Sequence, residues 1–245
     1  MSDESFARRI LVETDDLIAW NKPPVLATTG RDLDDPNCAQ YQAMQYAGEM
    51  VWALHQLDRD TSGVVLFARK KSLVASWQNR WSTAAIQKYY VALVHGRLPR
   101  SPMKVDEPLL NHNRKGYTEV TIDTAGKPAV SHFVELSAAR SYSLVLARPI
   151  TGRTHQLRVH LQSVDCPLIG EKRYNSIPCG HHNRHALHAM VIATDCDAPL
   201  NVIEAPLAQD LLQPSHALGI DLSILTNLDL TDLLHEPEIH GAPDS

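Results

Sequence analysis

The absences in this 245-residue sequence bear first on membranes and secretion. No apolar run of about 18 residues is present, which is the length a membrane-spanning helix requires, so the sequence predicts no membrane span. The first ten residues, MSDESFARRI, contain acidic residues and no apolar centre, unlike a secretory signal. The cysteines at positions 38, 166, 179 and 196 are scattered without a CxxC pair, which predicts a reducing cytoplasm and no disulfide framework.

A net positive charge is also missing. The chain has 23 Lys and Arg residues against 28 Asp and Glu residues, a formal charge of -5. The charge is uneven, because basic side chains outnumber acidic ones two to one between residues 53 and 173, whereas residues 213–245 contain acids and no Lys or Arg. Ordinary unevenness of surface charge is one interpretation. The other, which we favour, is that the middle of the chain forms a basic face suited to phosphates.

Internal repeats and low-complexity segments are absent as well, and hydrophobic residues make up 44% of the chain. These features predict a globular protein with one large domain or a domain with an appendage. Short β-branched and alternating segments outnumber helical patterns and do not follow a regular βαβα order. We therefore predict an α+β fold with a mixed, mostly antiparallel sheet and flanking helices and loops.

The predicted elements follow from hydrophobic periodicity and from turn residues. Strands are predicted over residues 10–12, 17–20, 64–68, 89–94, 118–124, 131–137, 143–147 and 186–193. Helices are predicted over residues 37–50, after a cap at Ser72, from a cap at Thr154 to Leu161, and from Ala205-Pro206 onward. Leu73, Trp77 and Trp81 share one face of the second helix, which we expect to pack on the core. Residues 97–116 are predicted to be a long exposed connection.

A polar cluster followed directly by an apolar run distinguishes residues 55–69, HQLDRDTSGVVLFAR. The apolar run is typical of a buried strand, which would fix the polar loop that precedes it. A carboxylate held in this way next to an arginine is a means of presenting a reactive acid to a substrate. A solvated turn before a strand is the simpler alternative.

Six ordered segments resemble those of RluA-type RNA pseudouridine synthases. HQLDRDTSG at residues 55–63 is similar to the HRLDxxTSG signature, and RPITGRTHQLRVHL at residues 148–161 is similar to the second signature of that family. Shorter matches are NKPP at residues 21–24, KYY at residues 88–90, PLIG at residues 167–170 and ALHA at residues 186–189. Several ordered motifs are far more specific than a single one. The similarity extends from Ile10 to Leu211.

The resemblance implies a large bent sheet crossed by a catalytic cleft, and the isomerisation of a specific uridine in rRNA or tRNA without a cofactor. It implies that Asp58 is the essential carboxylate, that Arg158 forms a salt bridge with it, and that Tyr90 stacks on the flipped uracil or assists proton transfer at the base through its hydroxyl. Whether Asp58 attacks the sugar or removes a ribose proton is left open. The residues expected to contact RNA or shape the loop are His55, Gln56, Arg59, Thr61, Ser62, Arg153 and His155, with Arg153 also the second candidate for the salt bridge.

Gln56 departs from the family pattern, which has an arginine at this position. By resemblance, that arginine enters the RNA helix as the target base leaves, a movement that costs a few kcal/mol of unstacking. Either the target uridine is already unstacked in the substrate, or another residue enters the helix in place of this arginine. Two other functions stay open: a non-catalytic RNA-binding or assembly factor that retains the fold, and a glycoside or nucleoside hydrolase with Asp60 as its second acid.

Residues 1–212 are predicted to form the catalytic domain, with no small RNA-binding domain before it. Residues 213–245 are predicted to form an acidic tail whose leucines pack on the domain. The group His181, His182, His185 and His188, with Cys179 nearby, raises the possibility of a metal site. We do not favour it, because a zinc site requires four converging ligands and the last two histidines lead into a strand. The expected partner is RNA, with no metal and a monomeric state.

Overall fold

The computed structural model describes residues 6–83, 85–175, 177, 182–226 and 228. Its strands are β1 (Ile10–Glu13), β2 (Leu17–Lys22), β3 (Trp52–Ala53), β4 (Ser62–Ala68), β5 (Ile86–His95), β6 (Met103–Asp106), β7 (Leu109–Arg114), β8 (Tyr117–Ile122), β9 (Val130–Ala139), β10 (Tyr142–Pro149), β11 (Leu187–Thr194) and β12 (Val202–Glu204). Its helices are α1 (Ala39–Ala47), α2 (Ser72–Ser82), α3 (Gln156–Ser163), α4 (Gln209–Ala217) and α5 (Ser223–Thr226).

The chain forms two compact units. The first contains Met1–Val91 and His182–Leu212, and the second contains Ala92–His181 and Gln213–Ser245. Within the described part of the chain, no helix is both long and apolar enough to cross a membrane.

The first unit is organised around β4, every residue of which is buried. Its run of apolar and β-branched residues is the pattern of a strand covered on both faces. β4 pairs antiparallel with β2 and β3 and parallel with β11. β11 in turn pairs antiparallel with β12. β1 pairs antiparallel with β2. The mixed, mostly antiparallel α+β fold that the sequence predicts is therefore confirmed.

Helix α2 packs on this sheet through the predicted stripe of large side chains. Trp77 is 4% exposed, and Leu73 and Trp81 pack against the same apolar cluster as the β4 residues Val64 and Leu66. The stripe is therefore part of the core, as predicted. The helix itself begins at Ser72, and the preceding Lys71 is the N-cap without a side-chain hydrogen bond, so the prediction of Ser72 as a cap is wrong.

The second unit combines an antiparallel set, β10-β9-β6, with the separate β7–β8 hairpin. Leu109 and Val120 of the hairpin pack with Ala129 and with Val159 of α3. The hairpin is thereby tied to the helix that carries part of the second signature, because burial of these four side chains removes apolar surface from water.

Two predicted elements are corrected in this unit. Residues 97–116 are not one long connection, because they contain β6 and β7. β6 alternates buried and exposed residues over four positions only, a strand signal too short to recognise without its partner β9. Thr154 is not the cap of α3, because the N-cap is His155, in a left-handed conformation with φ 53° and no side-chain cap bond.

The C-terminal part also differs in detail. The last predicted helix begins at Gln209 rather than at Ala205, and it continues to Ala217, past the predicted domain boundary at residue 212. A short helix, α5, follows within the predicted tail. After residue 226, only residue 228 of the tail is among the described residues. The division into residues 1–212 and 213–245 stays a prediction.

Candidate active site

The polar loop of the first signature lies between β3 and β4 in the first unit. Its start is fixed by Thr28, whose hydroxyl donates to the Leu57 carbonyl and accepts from the Leu57 N–H, both at 2.9 Å. The Thr61 N–H donates to the Asp58 carbonyl at 3.0 Å and closes a turn around the half-buried Asp58. The backbone on both sides of the predicted catalytic carboxylate is therefore hydrogen-bonded.

Lys22 hydrogen-bonds the backbone of Arg59, the residue after Asp58. Its side chain is fully buried, and Nζ donates to the carbonyls of Pro23, Leu26 and Arg59 at 3.0, 2.7 and 3.1 Å. Burial, assisted by the positive charge of Arg184, lowers the pKa of Lys22 to about 7, although the carboxylates of the loop oppose this shift. A buried ammonium ion is tolerated when its donors are satisfied, and the three carbonyls meet that requirement.

Two histidines near the ALHA motif also contact the loop. His188 lies in this motif, and His185 directly precedes it. His185 Nε2 lies 2.9 Å from the Thr61 hydroxyl, and His188 Nδ1 lies 2.9 Å from the Ser62 hydroxyl. Burial lowers the pKa of His188 to about 4, which keeps its ring neutral at physiological pH. These histidines therefore act here as hydrogen-bonding groups of the core.

The described residues contain no group of three or more His, Cys, Asp or Glu side chains placed to hold a metal ion. Cys179 and His181, which belong to the histidine-rich group in the sequence, lie outside the described residues.

Asp58 and Tyr90 lie close enough in the first unit to interact electrostatically. Tyr90, in β5, is partly buried against the cluster that includes Leu57. Burial raises the pKa of the Tyr90 phenol, and the negative charge of Asp58 raises it further. The phenol consequently keeps its proton at neutral pH beside the carboxylate.

His55 and Gln56 occupy different environments. His55 Nε2 accepts a hydrogen bond from the Leu66 N–H at 3.2 Å, and its ring lies 5.0 Å from the Trp81 ring. Burial and the charge of Lys88 lower the pKa of His55 to about 3, so the ring is neutral. Gln56 is exposed, and its Oε1 accepts from the Thr29 hydroxyl at 3.2 Å. Of the two residues, Gln56 is the more exposed to solvent.

Arg158 is a buried cation in the second unit. Its Nε and Nη2 donate to the two carboxylate oxygens of Glu171 at 2.7 and 2.9 Å, and its guanidinium lies 5.1 Å from the centre of the Tyr174 ring. The side chains of Arg158 and Glu171 are 8% and 1% exposed. This bidentate geometry fixes the plane of the guanidinium, because both parallel hydrogen bonds are charge-assisted.

Arg153 and His155 lie at the start of α3 in the same unit. Arg153 is exposed, and its Nε donates to the Pro128 carbonyl at 2.9 Å. His155 Nδ1 is 2.5 Å from the Tyr174 hydroxyl, which also accepts from the Val120 N–H at 3.2 Å. The Tyr174 hydroxyl therefore joins His155, at the start of α3, to the backbone of the β7–β8 hairpin.

Several residues of these networks are absent from the sequence predictions of the site. They are Lys22, Thr28, Glu171, Tyr174, Arg184 and Asp210, whose carboxylate accepts two hydrogen bonds from Arg184. Lys22 and Glu171 stand in or directly after matched motifs, NKPP and PLIG, and that adjacency is the signal that identifies them. Thr28 and Asp210 carry no such signal. The catalytic and RNA-binding roles of the predicted residues stay predictions.

Comparisons with known proteins agree with the sequence motifs. A family model described as RNA pseudouridylate synthase matches residues 16–163. The ribosomal large subunit pseudouridine synthase C of Buchnera aphidicola subsp. Acyrthosiphon pisum is 34% identical over 188 residues, which are 75% of this chain and 60% of that protein. The protein of the same name from Vibrio vulnificus is 34% identical over 214 residues, which are 82% of this chain and 66% of that protein.

The solved structure of human RNA Pseudouridylate Synthase Domain Containing 4 has the same fold, with a TM-score of 0.74, 24% identity and coverage of 90% of this chain and 96% of that one. This chain belongs to the RNA pseudouridylate synthase family. Its resemblance to the RluA type is thereby confirmed. It spans about three fifths to two thirds of the length of the curated relatives given above.

Proposed function

We propose that this chain isomerises a specific uridine of ribosomal RNA to pseudouridine, with Asp58 as the essential carboxylate. In this reaction the glycosidic bond to the uracil nitrogen breaks, the base turns, and a carbon–carbon bond to the same ribose forms. No atoms are gained or lost, so no cofactor is required. The protein has to supply an ionised carboxylate, a site for the extruded base and shelter from water.

The observation that carries the proposal is the fixed loop around Asp58, beside a protonated tyrosine. Leu57 and Thr61 hold the backbone on either side of Asp58 through the contacts with Thr28 and the internal turn. A reacting group gains most when it is held in place before the substrate arrives. The phenol of Tyr90 beside it is suited to stack on an extruded uracil, a contact of roughly 1–3 kcal/mol.

Arg158 is proposed to keep Asp58 ionised. A carboxylate in a desolvated site tends to take up a proton, and a nearby guanidinium opposes this. The bidentate contact with Glu171 supports the proposal, because it orients the Arg158 guanidinium without involving bulk solvent. Gln56, Arg59, Arg153 and His155 are proposed to contact the RNA backbone, and His55 and Thr61 to shape the loop.

The named relatives act on the large ribosomal subunit by their printed names, which favours rRNA over tRNA as the substrate. The neutral, exposed Gln56 favours a uridine that is already unstacked, because a shorter side chain contributes less to base extrusion. We further propose that the protein works in the cytoplasm as a monomer, that residues 1–212 form the catalytic domain, and that residues 213–245 form an acidic tail.

The test uses rRNA and tRNA from cells that lack this gene. Purified protein is incubated with each RNA, and pseudouridines are mapped by carbodiimide modification. One restored position in rRNA is expected with the wild type and with the control Asp15→Asn, and none with Asp58→Asn. Restoration in tRNA alone would replace the proposed substrate.

Two results would assign a different function. If Asp58→Asn complements a deletion as well as the wild type, the protein is an RNA-binding or assembly factor. If free uracil is released and Asp60→Asn also abolishes the activity, it is a hydrolase with two acids.

A further inference from the structure

Arg184 joins the loop of Asp58 to the start of helix α4. Its Nε and Nη2 donate to the Asp210 carboxylate at 2.7 and 2.9 Å, and its Nη1 donates to the Asp60 carbonyl at 2.8 Å. Nη2 also donates to the Ser62 hydroxyl at 3.1 Å. One guanidinium therefore contacts the loop at two positions, two and four residues after Asp58.

The same side chain also holds the segment that supplies the histidine contacts. Nη1 lies 3.2 Å from the His185 carbonyl and 3.1 Å from the Leu187 carbonyl. The first carbonyl belongs to His185, whose ring reaches Thr61, and the second belongs to the residue before His188, whose ring reaches Ser62. Arg184 thus fixes the loop directly and also fixes the strand entrance from which His185 and His188 reach it.

Asp210 determines how Arg184 can be oriented. The Arg184 side chain is 4% exposed, whereas the Asp210 side chain is 40% exposed and borders a cavity of about 680 Å³ that is also lined by Lys22 and Ser62. A planar guanidinium held by two parallel hydrogen bonds has one orientation, and only that orientation directs the remaining N–H groups at Asp60 and Ser62. Burial opposes ionisation of Asp210, but the hydrogen bonds and charge of Arg184 hold its pKa below the ordinary value.

We propose that Arg184 and Asp210 are positioning residues for Asp58, so that the first turn of α4 is part of the catalytic apparatus. The proposal rests on the function proposed above for Asp58. Neither side chain needs to touch RNA. They act through the loop backbone, and their loss should lower kcat with little change in KM, because the geometry of the reacting group changes while the RNA-binding surface does not.

A lysine at position 184 tests the geometry and keeps the charge. An ammonium ion on a flexible stem cannot bind Asp210 at two points and also reach the Asp60 carbonyl. We expect Arg184→Lys to lower kcat about 100-fold and Asp210→Asn about tenfold, with KM within about twofold of the wild type. Asp210→Asn is the milder change, because it keeps the size of the side chain and an oxygen acceptor for Arg184 at a position that is 40% exposed, and it is the second variant if Arg184→Lys does not fold.

Arg69→Lys is the matched control. Arg69 is 17% exposed in the same unit and pairs with Glu13 and Glu49, away from residues 57–62. The activity of Arg69→Lys shows how far a general loss of stability lowers kcat. The midpoint of urea unfolding is measured for every variant, and kcat is compared between variants of equal stability. Equal kcat values for Asp210→Asn and Arg69→Lys at equal stability would overturn the proposal.

Hydrogen exchange at the Thr61 N–H gives a readout that does not depend on catalysis. This amide donates to the Asp58 carbonyl, so we expect it to exchange at least tenfold faster in Asp210→Asn and at the wild-type rate in Arg69→Lys. Unchanged exchange in Asp210→Asn would refute the positioning role. Retained activity in Asp58→Asn would instead refute the proposed function, and the exchange result would still be decisive for the loop.

Discussion

The hydroxyl of Thr28 hydrogen-bonds both polar groups of the Leu57 backbone. The hydroxyl donates to the Leu57 carbonyl and accepts from the Leu57 N–H, both at 2.9 Å, and Thr28 is 1% exposed. The residue before Asp58 is thus held by a side chain 29 positions earlier in the chain. A buried peptide group that has no strand partner is stable only with such a substitute.

Thr28→Val tests this relationship, because valine has the same shape without the hydroxyl. It leaves the N–H and carbonyl of Leu57 without these partners, and we expect a loss of about 3 kcal/mol in the free energy of unfolding. Urea denaturation measures the loss. Thr28→Ser keeps the hydroxyl and should lose only about 1 kcal/mol, the cost of one methyl group. Equal losses for the two variants would contradict the role of the hydrogen bonds.

Tyr90 should act through its ring more than through its hydroxyl. Tyr90→Leu removes the stacking surface, which contributes about 1–3 kcal/mol. We therefore expect kcat/KM to fall roughly five- to 150-fold. Tyr90→Phe keeps the ring and should stay within about tenfold of the wild type. A phenylalanine variant as inactive as the leucine variant would assign the essential part to the hydroxyl.

Glu171→Gln should be strongly destabilising, because it removes the charge opposite a buried arginine. Breaking a buried ion pair from one side costs about 3–5 kcal/mol, and Arg158 and Glu171 are 8% and 1% exposed. The matched control is Glu119→Gln in the same unit, where Glu119 and its partner Arg114 are 41% and 58% exposed. Exposed pairs contribute about 0–1 kcal/mol. Similar unfolding midpoints for the two variants would contradict the prediction.

Gly63 permits the close approach of β4 and β11. A Cβ atom at this position would lie 2.1 Å from the Ala189 carbonyl oxygen, and the residue has φ +113°. We expect Gly63→Ala to cost about 3–5 kcal/mol through strain and overpacking. Gly48→Ala is the control, because Gly48 has φ +67° and open space around it, and its cost should be about 1 kcal/mol. Thermal unfolding of both variants distinguishes these values.

His188 should make the protein less stable in acid. Its pKa is about 4 in the folded chain and near 6.5 when unfolded, so the unfolded state binds more protons between these values. The free energy of unfolding should therefore fall as pH is lowered from about 6.5 to about 4, by up to roughly 3 kcal/mol. His188→Gln should flatten this decline in urea titrations at each pH, and an unchanged decline would contradict the prediction.

Elements whose pattern lies in adjacent residues are predictable from the sequence, whereas elements that depend on a distant strand partner are not. Val64–Ala68 was recognisable as a buried strand because each of its residues is apolar, and the stripe through Trp77 because its spacing matches one helix face. β6 and β7 were missed because their few residues become strands only through pairing, with β9 and β8 respectively. The start of α3 was misplaced because His155 adopts a left-handed conformation and carries no capping hydrogen bond from its side chain.

The sequence by itself determined the family and the residues that stand in its motifs, because those residues occur in a fixed order along the chain. Only the tertiary structure decided what holds them: Thr28 for Leu57, Arg184 and Asp210 for the loop of Asp58, and Glu171 for Arg158. These partners are 13 to 124 positions apart along the chain. A hydrogen bond depends on the distance and direction between two atoms in space, and separation along a sequence specifies neither.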